Sequence, residues 1–291
     1  FRQKGALSFG LEPTDAFLDA REKGHTIFND FLAEDIAKTI HSSHGTMDFI
    51  TFTNVFAHIE NLGSVIRSLK ILMNPRTVIV IENHYLGSVL DGNQFDTFYH
   101  EHPRSYSYTS FVHIARSLGL PIYAVEFPSR YGGNIRIFLA KDTQNSENIV
   151  DLKTLAERES HFLEQFTNLG QNVTAWRESK KAFIQNQVRQ YGKLKAKAFP
   201  GRAAILIKAL GLDEESISAV YEKPGSLKIN HYVPGTRIPI LSDDELFQSD
   251  QTKPLLNLAW HIPREIRNYL KEHNYHGPVL DILSAQDFAL V

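Results

Sequence analysis

Tyr99, His100, Glu101 and His102 stand consecutively, a short way past an apolar run that ends in Glu82, Asn83, His84 and Tyr85. An imidazole titrates near neutrality, a neighbouring carboxylate fixes its tautomer and raises its basicity, and a phenol donates to a developing oxyanion. Those are the parts needed to take a proton from a carbon beside a carbonyl. The bland alternative is a polar helix start on a solvated loop. The aromatic flanks Phe95, Phe98, Tyr106, Tyr108 and Phe111 are expected to wrap the cluster in apolar surface, which a solvated loop would not need.

A second group lies upstream. Glu12 closes the apolar run Ala6–Leu11, Asp30 follows Thr26–Phe28, and Asn54 follows Met47–Thr53, so acid, acid and amide fall at three successive strand ends. In doubly wound nucleotide-binding folds that rim holds ligands: an acid there accepts from ribose hydroxyls, about 20 residues after a Gly-rich turn. Such a turn is expected upstream of Phe1. Asp30 could reach an adenine amino group. His58, in Asn54-Val55-Phe56-Ala57-His58-Ile59, falls where the rim meets the reactive end of a cofactor; on position alone a structural histidine is as good a reading.

The elements that must position these groups alternate in type. Helices are expected around 14–23 and 62–73, and a fourth strand over 77–81; this βαβ rhythm predicts an α/β fold with a mostly parallel, doubly wound sheet. Beyond the cluster, 109–118 reads as a helix with Gly119 as C-cap, and 121–125 with 134–140 as an antiparallel edge hairpin around Gly132-Gly133. The pattern from Asn148 to Lys197 is helical, with a break expected near Gly170. Past Pro200-Gly201, short strands at 218–221, 238–241, 255–260 and 279–282 surround a helix at 263–272. The domain plan is therefore 1–147, a cofactor-binding domain; 148–198, a helical connector; and 199–291, a smaller α/β domain.

Composition narrows the function classes. With 291 residues and 42% hydrophobic content the chain can bury a substantial core. The 31 Lys and Arg against 33 Asp and Glu leave a net charge of −2, so nothing electrostatic favours nucleic acid or an anionic membrane. Cysteine is absent, which removes thiolate chemistry and Cys-ligated zinc, and the histidines show no H-E-x-x-H spacing, so no metal site is expected. No apolar run is long enough for a membrane helix, and a cytoplasmic location is the expectation.

The runs Asn54-Val55-Phe56-Ala57-His58-Ile59-Glu60, Phe95-Asp96-Thr97-Phe98-Tyr99-His100-Glu101-His102, Tyr131-Gly132-Gly133-Asn134-Ile135-Arg136 and Pro234-Gly235-Thr236-Arg237-Ile238-Pro239, in that order, resemble the S-adenosylmethionine-dependent sugar C-methyltransferases that act at C3 of nucleotide-linked keto-deoxysugars. The resemblance spans nearly the whole chain. It implies a class I methyltransferase sheet, S-adenosyl-L-methionine as cofactor with Glu12, Asp30 and Asn54 at its site, and a carboxyl-terminal α/β domain that helps to hold a nucleotide sugar. It further implies His102 as general base, Glu101 as its partner, Tyr99 as donor to the enolate and His58 near the ketone. For the sugar nucleotide, Arg136, Lys223 and Lys228 are the expected diphosphate partners, with Gly132 and Gly133 allowing close approach and Tyr221 stacking on the base. The family's amino-terminal cysteine-ligated zinc module, its Gly-rich cofactor loop and a clear G-Y-G-A-x-x-K loop have no counterpart here; Phe199-Pro200-Gly201-Arg202-Ala203-Ala204 stands near the last. A non-sugar acceptor, a nucleotide-sugar dehydrogenase or epimerase, and a non-catalytic binding protein derived from the methyltransferases stay open as alternatives.

Overall fold

The computed structural model describes residues 1–141 and 151–288, which form two compact units. The first comprises Phe1–Asn83, Tyr106–Pro128 and Asn134–Ala156; the second comprises His84–Ser105, Ser129–Gly133 and Glu157–Val291.

The elements, in chain order, begin β1 (Phe9–Leu11), α1 (Ala16–Glu22), β2 (Thr26–Phe28), α2 (Glu34–His44), β3 (Met47–Thr53), α3 (Leu62–Leu72), β4 (Met73–His84), α4 (Leu86–Asp91), α5 (Tyr108–Leu118), β5 (Ile122–Glu126) and β6 (Asn134–Leu139). Among the described residues of the first unit, β3, β4, β6 and β5 form one sheet in that order, and β1 and β2 form a separate two-stranded sheet in place of the single sheet expected. The β3–β4 and β1–β2 pairs are parallel, whereas β5 and β6 form the expected antiparallel pair. Val78-Ile79-Val80-Ile81 explains why β4 is central, since Ile79 and Ile81 are wholly buried in a β-branched run. The ends of α5 are chemically fixed: Ser107 and Ser110 form a reciprocal capping box, and Gly119 takes the left-handed φ of 71° that terminates the helix.

The chain continues with α6 (Leu152–Ser160), α7 (Phe162–Tyr191), β7 (Leu194–Lys197), α8 (Ala203–Leu210), β8 (Ile217–Glu222), β9 (Ile240–Ser242), α9 (Asp243–Gln248), β10 (Leu255–Asn257), α10 (Pro263–Glu272) and β11 (Val279–Asp281). Among the described residues the second unit holds a parallel sheet ordered β11-β10-β7-β8-β9. The first strand of this sheet in sequence is therefore its centre. Wholly buried Ala196, Leu206, Ile207, Ile217, Val220, Ile240 and Leu256 form one core with Trp176 and Ile184 of α7.

Two further expectations are corrected. Helix α7 runs unbroken through Gly170 and the interruption falls at His161, because a single glycine costs only about 1 kcal/mol in a helix held by buried Leu169, Trp176 and Ile184. The helical pattern read to Lys197 stops at Tyr191; Leu194–Lys197 is a strand whose short alternating run resembled a helix tail. The pattern's start at Asn148 lies outside the described residues, as does the boundary placed between 147 and 148.

Candidate active site

In the first unit, strand ends assemble the rim. Leu11 is in register with Phe28, and the Glu12 amide donates to the Phe28 carbonyl, so Glu12 and Asp30 leave the sheet at the same edge. One Glu12 oxygen, Oε1, accepts from the Thr14 hydroxyl at 2.6 Å and the Thr14 amide at 2.9 Å. The hydroxyl bond, then the amide bond, holds this carboxyl below its usual range against a small opposing effect of burial, so it is an ionised acceptor at neutral pH. Exposed Asp30 takes its neighbour's amide, from Phe31, at 2.7 Å.

Asn54 turns the chain out of β3 at a left-handed φ of 54°, a conformation asparagine tolerates. Its side-chain oxygen accepts from Asn134 at 3.0 Å, and the same amide group of Asn134 reaches Glu82 at 2.8 Å. Glu82 is only 2% exposed and is matched by Arg136, whose Nε and Nη2 lie 2.8 and 2.7 Å from its Oε2. The remaining end of the guanidinium, Nη1, meets Glu126 at 2.6 Å. Arg136 thus spends its fork on two carboxylates, and its place is behind the rim, holding Glu82, Asn134 and Asn54 in one network. His58 ends a short 3₁₀ turn after β3 and is exposed.

The expected ribose acceptor, the second acid and the oriented amide therefore lie on the carboxyl side of parallel strands. An ionised Glu12 at a strand end suits a pair of vicinal hydroxyls, and Asp30 suits an exocyclic amine, so the residues present fit the adenosyl part of S-adenosylmethionine.

The histidine cluster belongs to the second unit. His102 Nδ1 lies 3.0 Å from the Thr97 carbonyl. A carbonyl only accepts, so Nδ1 carries the proton and the lone pair of the neutral ring is on Nε2, the state a general base requires. The Tyr99 ring is tilted over His102 with centroids 4.5 Å apart, and its hydroxyl donates to Glu101. Burial, then the Glu101 charge, pushes the phenol up to about 12, which keeps it a donor across the neutral range. Exposed His100 is 4.0 Å from Glu101.

The aromatic wrapping expected of this cluster is corrected for three of the five rings: Phe95, Tyr106 and Phe111 serve local cores. Phe95 packs on Trp176 at 4.9 Å and Phe98 on Phe166 at 5.9 Å. Tyr106 and Phe111 stack at 5.0 Å against Phe56, far inside the first unit's core. Gly132 and Gly133 have positive φ values of 85° and 117°, but the space a Cβ would take is already filled by Gln94 and Ser88, so packing within the unit accounts for both glycines.

Sequence reasoning overlooked four residues of the second unit. Asp96 is completely buried, and its Oδ2 accepts from Trp260 Nε1 at 2.8 Å and pairs with Arg202 Nε at 3.1 Å. The Arg202 guanidinium lies 5.1 Å over the Trp260 ring. His261 follows; its Nδ1 has no partner among the described residues, and burial, then the Arg202 charge, pushes the ring down to about 4. Arg202 stands in the loop after β7, Trp260 and His261 after β10. The order reverses between these strands, the switch point at which open parallel sheets hold ligands. Of the other expected acceptor residues, Tyr221 is buried among Ala219, Leu246 and Leu255, where a stacking role is replaced by core packing. Lys223 is exposed with Nζ 4.4 Å from the Tyr269 ring centroid, and Lys228 donates to the Phe199 carbonyl at 2.6 Å.

The first unit carries two acids and an amide at the carboxyl ends of its strands, as nucleoside-binding α/β folds do, and the second carries an imidazole and a phenol donor side by side. Residues 129–280 match the family described as C-methyltransferase C-terminal domain, more than half of the chain, and residues 2–125 match a methyltransferase domain. The chain belongs to the C-methyltransferase family: it is an S-adenosylmethionine-dependent C-methyltransferase with a Rossmann-like α/β fold. It is 29% identical over 289 residues to C-methyltransferase NovU of Streptomyces niveus, a match covering 95% of this chain and 67% of the relative. Among solved structures, a SAM-dependent methyltransferase from Archaeoglobus fulgidus is 13% identical over 47% of this chain and 77% of that one, with a TM-score of 0.40. One from Anabaena variabilis is 15% identical over 45% and 67%, with a TM-score of 0.34. No helix among the described residues is long and apolar enough to cross a membrane.

Proposed function

We propose that the enzyme methylates a carbon α to the ketone of a nucleotide-linked keto-deoxysugar, with His102 as general base and Tyr99 as donor to the enolate oxygen. The observation that carries the reading is the Nδ1–H contact of His102 with a main-chain carbonyl, which leaves Nε2 as the basic nitrogen. A sugar carbon is nucleophilic only beside a carbonyl. His102 Nε2 takes the α-proton, the C–H pair becomes the enolate double bond, and Tyr99 O–H stabilises the oxyanion; base catalysis of this kind contributes about 10²–10⁴-fold. Before the acceptor binds, the Tyr99 hydroxyl donates to Glu101, and its single proton turns from Glu101 to the acceptor's oxygen for this step. S-adenosylmethionine, when bound, supplies the electrophilic methyl group to that carbon and leaves as the thioether. Glu12, Asp30 and Asn54 are assigned to its adenosyl part, His58 to the acceptor's ketone, and Lys223 and Lys228 to the charge of the diphosphate.

The test is direct turnover of a thymidine-diphosphate 4-keto-6-deoxysugar, with the product's new methyl placed by NMR. A methyl on the carbon next to the ketone is the expected result. Transfer to oxygen would remove the enolate mechanism, and transfer only to a ketone without a nucleotide would remove the sugar reading and favour the non-sugar acceptor.

A further inference from the structure

We infer that Asp96 and Trp260 are positioning residues that fix the tautomer and aim of the His102 imidazole. This rests on the reading of His102 as base and deepens it. The Thr97 carbonyl that takes the His102 Nδ1 proton ends a single 3₁₀ turn, Phe95–Thr97. The middle residue of that turn is Asp96, whose buried side chain meets Trp260 Nε1 and Arg202 Nε at its Oδ2, at 2.8 and 3.1 Å. Its Oδ1 has no hydrogen-bond partner among the described residues.

An anchor of this kind is an expensive choice. A buried carboxylate is tolerated only when paired, and one bare oxygen adds to the cost, whereas an apolar side chain would secure the turn without either penalty. What the carboxylate adds is direction. Its two partners come from the loops after β7 and β10, the strands on either side of the switch point, and the Arg202 guanidinium rests over the Trp260 ring. The turn's backbone bonds are short-range, among them Thr97 N to the Gln94 carbonyl at 3.1 Å and Phe98 N to the Phe95 carbonyl at 3.2 Å, and its apolar anchor is Phe95 on Trp176 at 4.9 Å, a contact with no hydrogen-bond direction. Asp96 is therefore the directional tie through which the sheet's own loops aim the Thr97 carbonyl, beside the packing of Phe95. If that carbonyl turns, the imidazole is released to the Nε2–H tautomer, in which the nitrogen meant for the substrate has no lone pair.

The experiment uses the full chain, with Trp260→Phe, which keeps an aromatic ring for Arg202 and removes the indole donor, and Asp96→Asn, which keeps the shape and removes the charge. The ¹⁵N shifts of the His102 ring, assigned by their loss in His102→Gln, report the tautomer without any turnover, and steady-state rates report kcat and KM. The wild type should show Nδ1–H alone; both variants should show a tautomer mixture and a kcat lower by about tenfold or more, with acceptor KM and S-adenosylmethionine affinity unchanged. An unchanged ¹⁵N pattern in Trp260→Phe overturns the inference, as does an unchanged kcat. Should Asp96→Asn fail to fold, Trp260→Phe reads the same contact. Wild-type turnover in His102→Gln would defeat the base assignment instead, and the ¹⁵N pattern would still decide the positioning claim.

Discussion

At the scale of single residues, the account turns on which polar groups are already committed. Glu12 gives one oxygen to Thr14 and is held ionised by it, so its second oxygen is the one assigned to ribose. Glu12→Ala should weaken S-adenosylmethionine binding by about 1–3 kcal/mol by titration calorimetry, the cost of leaving buried ribose hydroxyls without their acceptor. Thr14→Val, which removes the hydroxyl bond and keeps the carboxylate, should cost less than half of that; equal losses would mean that the turn, and not the carboxylate, matters to the ligand. His102 and Tyr99 were legible from their neighbours in sequence, because a base, an acid and a phenol in four consecutive residues are a local signal. Asp96, Arg202 and Trp260 were not, since nothing near any one of them announces the other two.

At the scale of elements, the strand ends do the positioning. Arg136 on β6 neutralises Glu82 on β4, which is buried, and Glu126 on β5, which is half-exposed. Arg136→Ala should therefore lower unfolding stability by about 3–5 kcal/mol, the cost of stranding a buried charge, measured by urea denaturation. A stable variant with a raised acceptor KM would return Arg136 to the role of phosphate ligand. The elements read well where composition and period agreed: β2 and β3 have the boundaries their apolar runs predict, and α10 starts at Pro263, the residue that presets its first turn. Helix α2 was missed, for its apolar face amounts to Ile36, Ala37 and Ile40 and the rest is polar. Strand β7 was missed because Leu194-Lys195-Ala196-Lys197 is too short to announce a period of two, although it lies at the centre of its sheet.

At the scale of the whole molecule, burial of titratable groups links folding to pH. His261 titrates at about 4 in the folded chain against 6.5 unfolded, so below 6.5 the unfolded state takes up a proton that the native state refuses. Stability from this group is lost as pH falls from 6.5 towards 4, by at most about 1.4 kcal/mol per pH unit. Buried Asp96 has the opposite sign, its raised pKa favouring the folded state at low pH, so the comparison of wild type with His261→Gln isolates the histidine. Denaturation midpoints across that window should fall less steeply in the variant; parallel curves would contradict the assignment. The central claim, however, is chemical, and it can be isolated from methyl transfer. With S-adenosylhomocysteine in place of the donor, the acceptor's α-proton should exchange with solvent deuterium under wild-type enzyme, and His102→Gln should slow that exchange by about 10²–10⁴-fold. Exchange at the wild-type rate in His102→Gln would contradict the account.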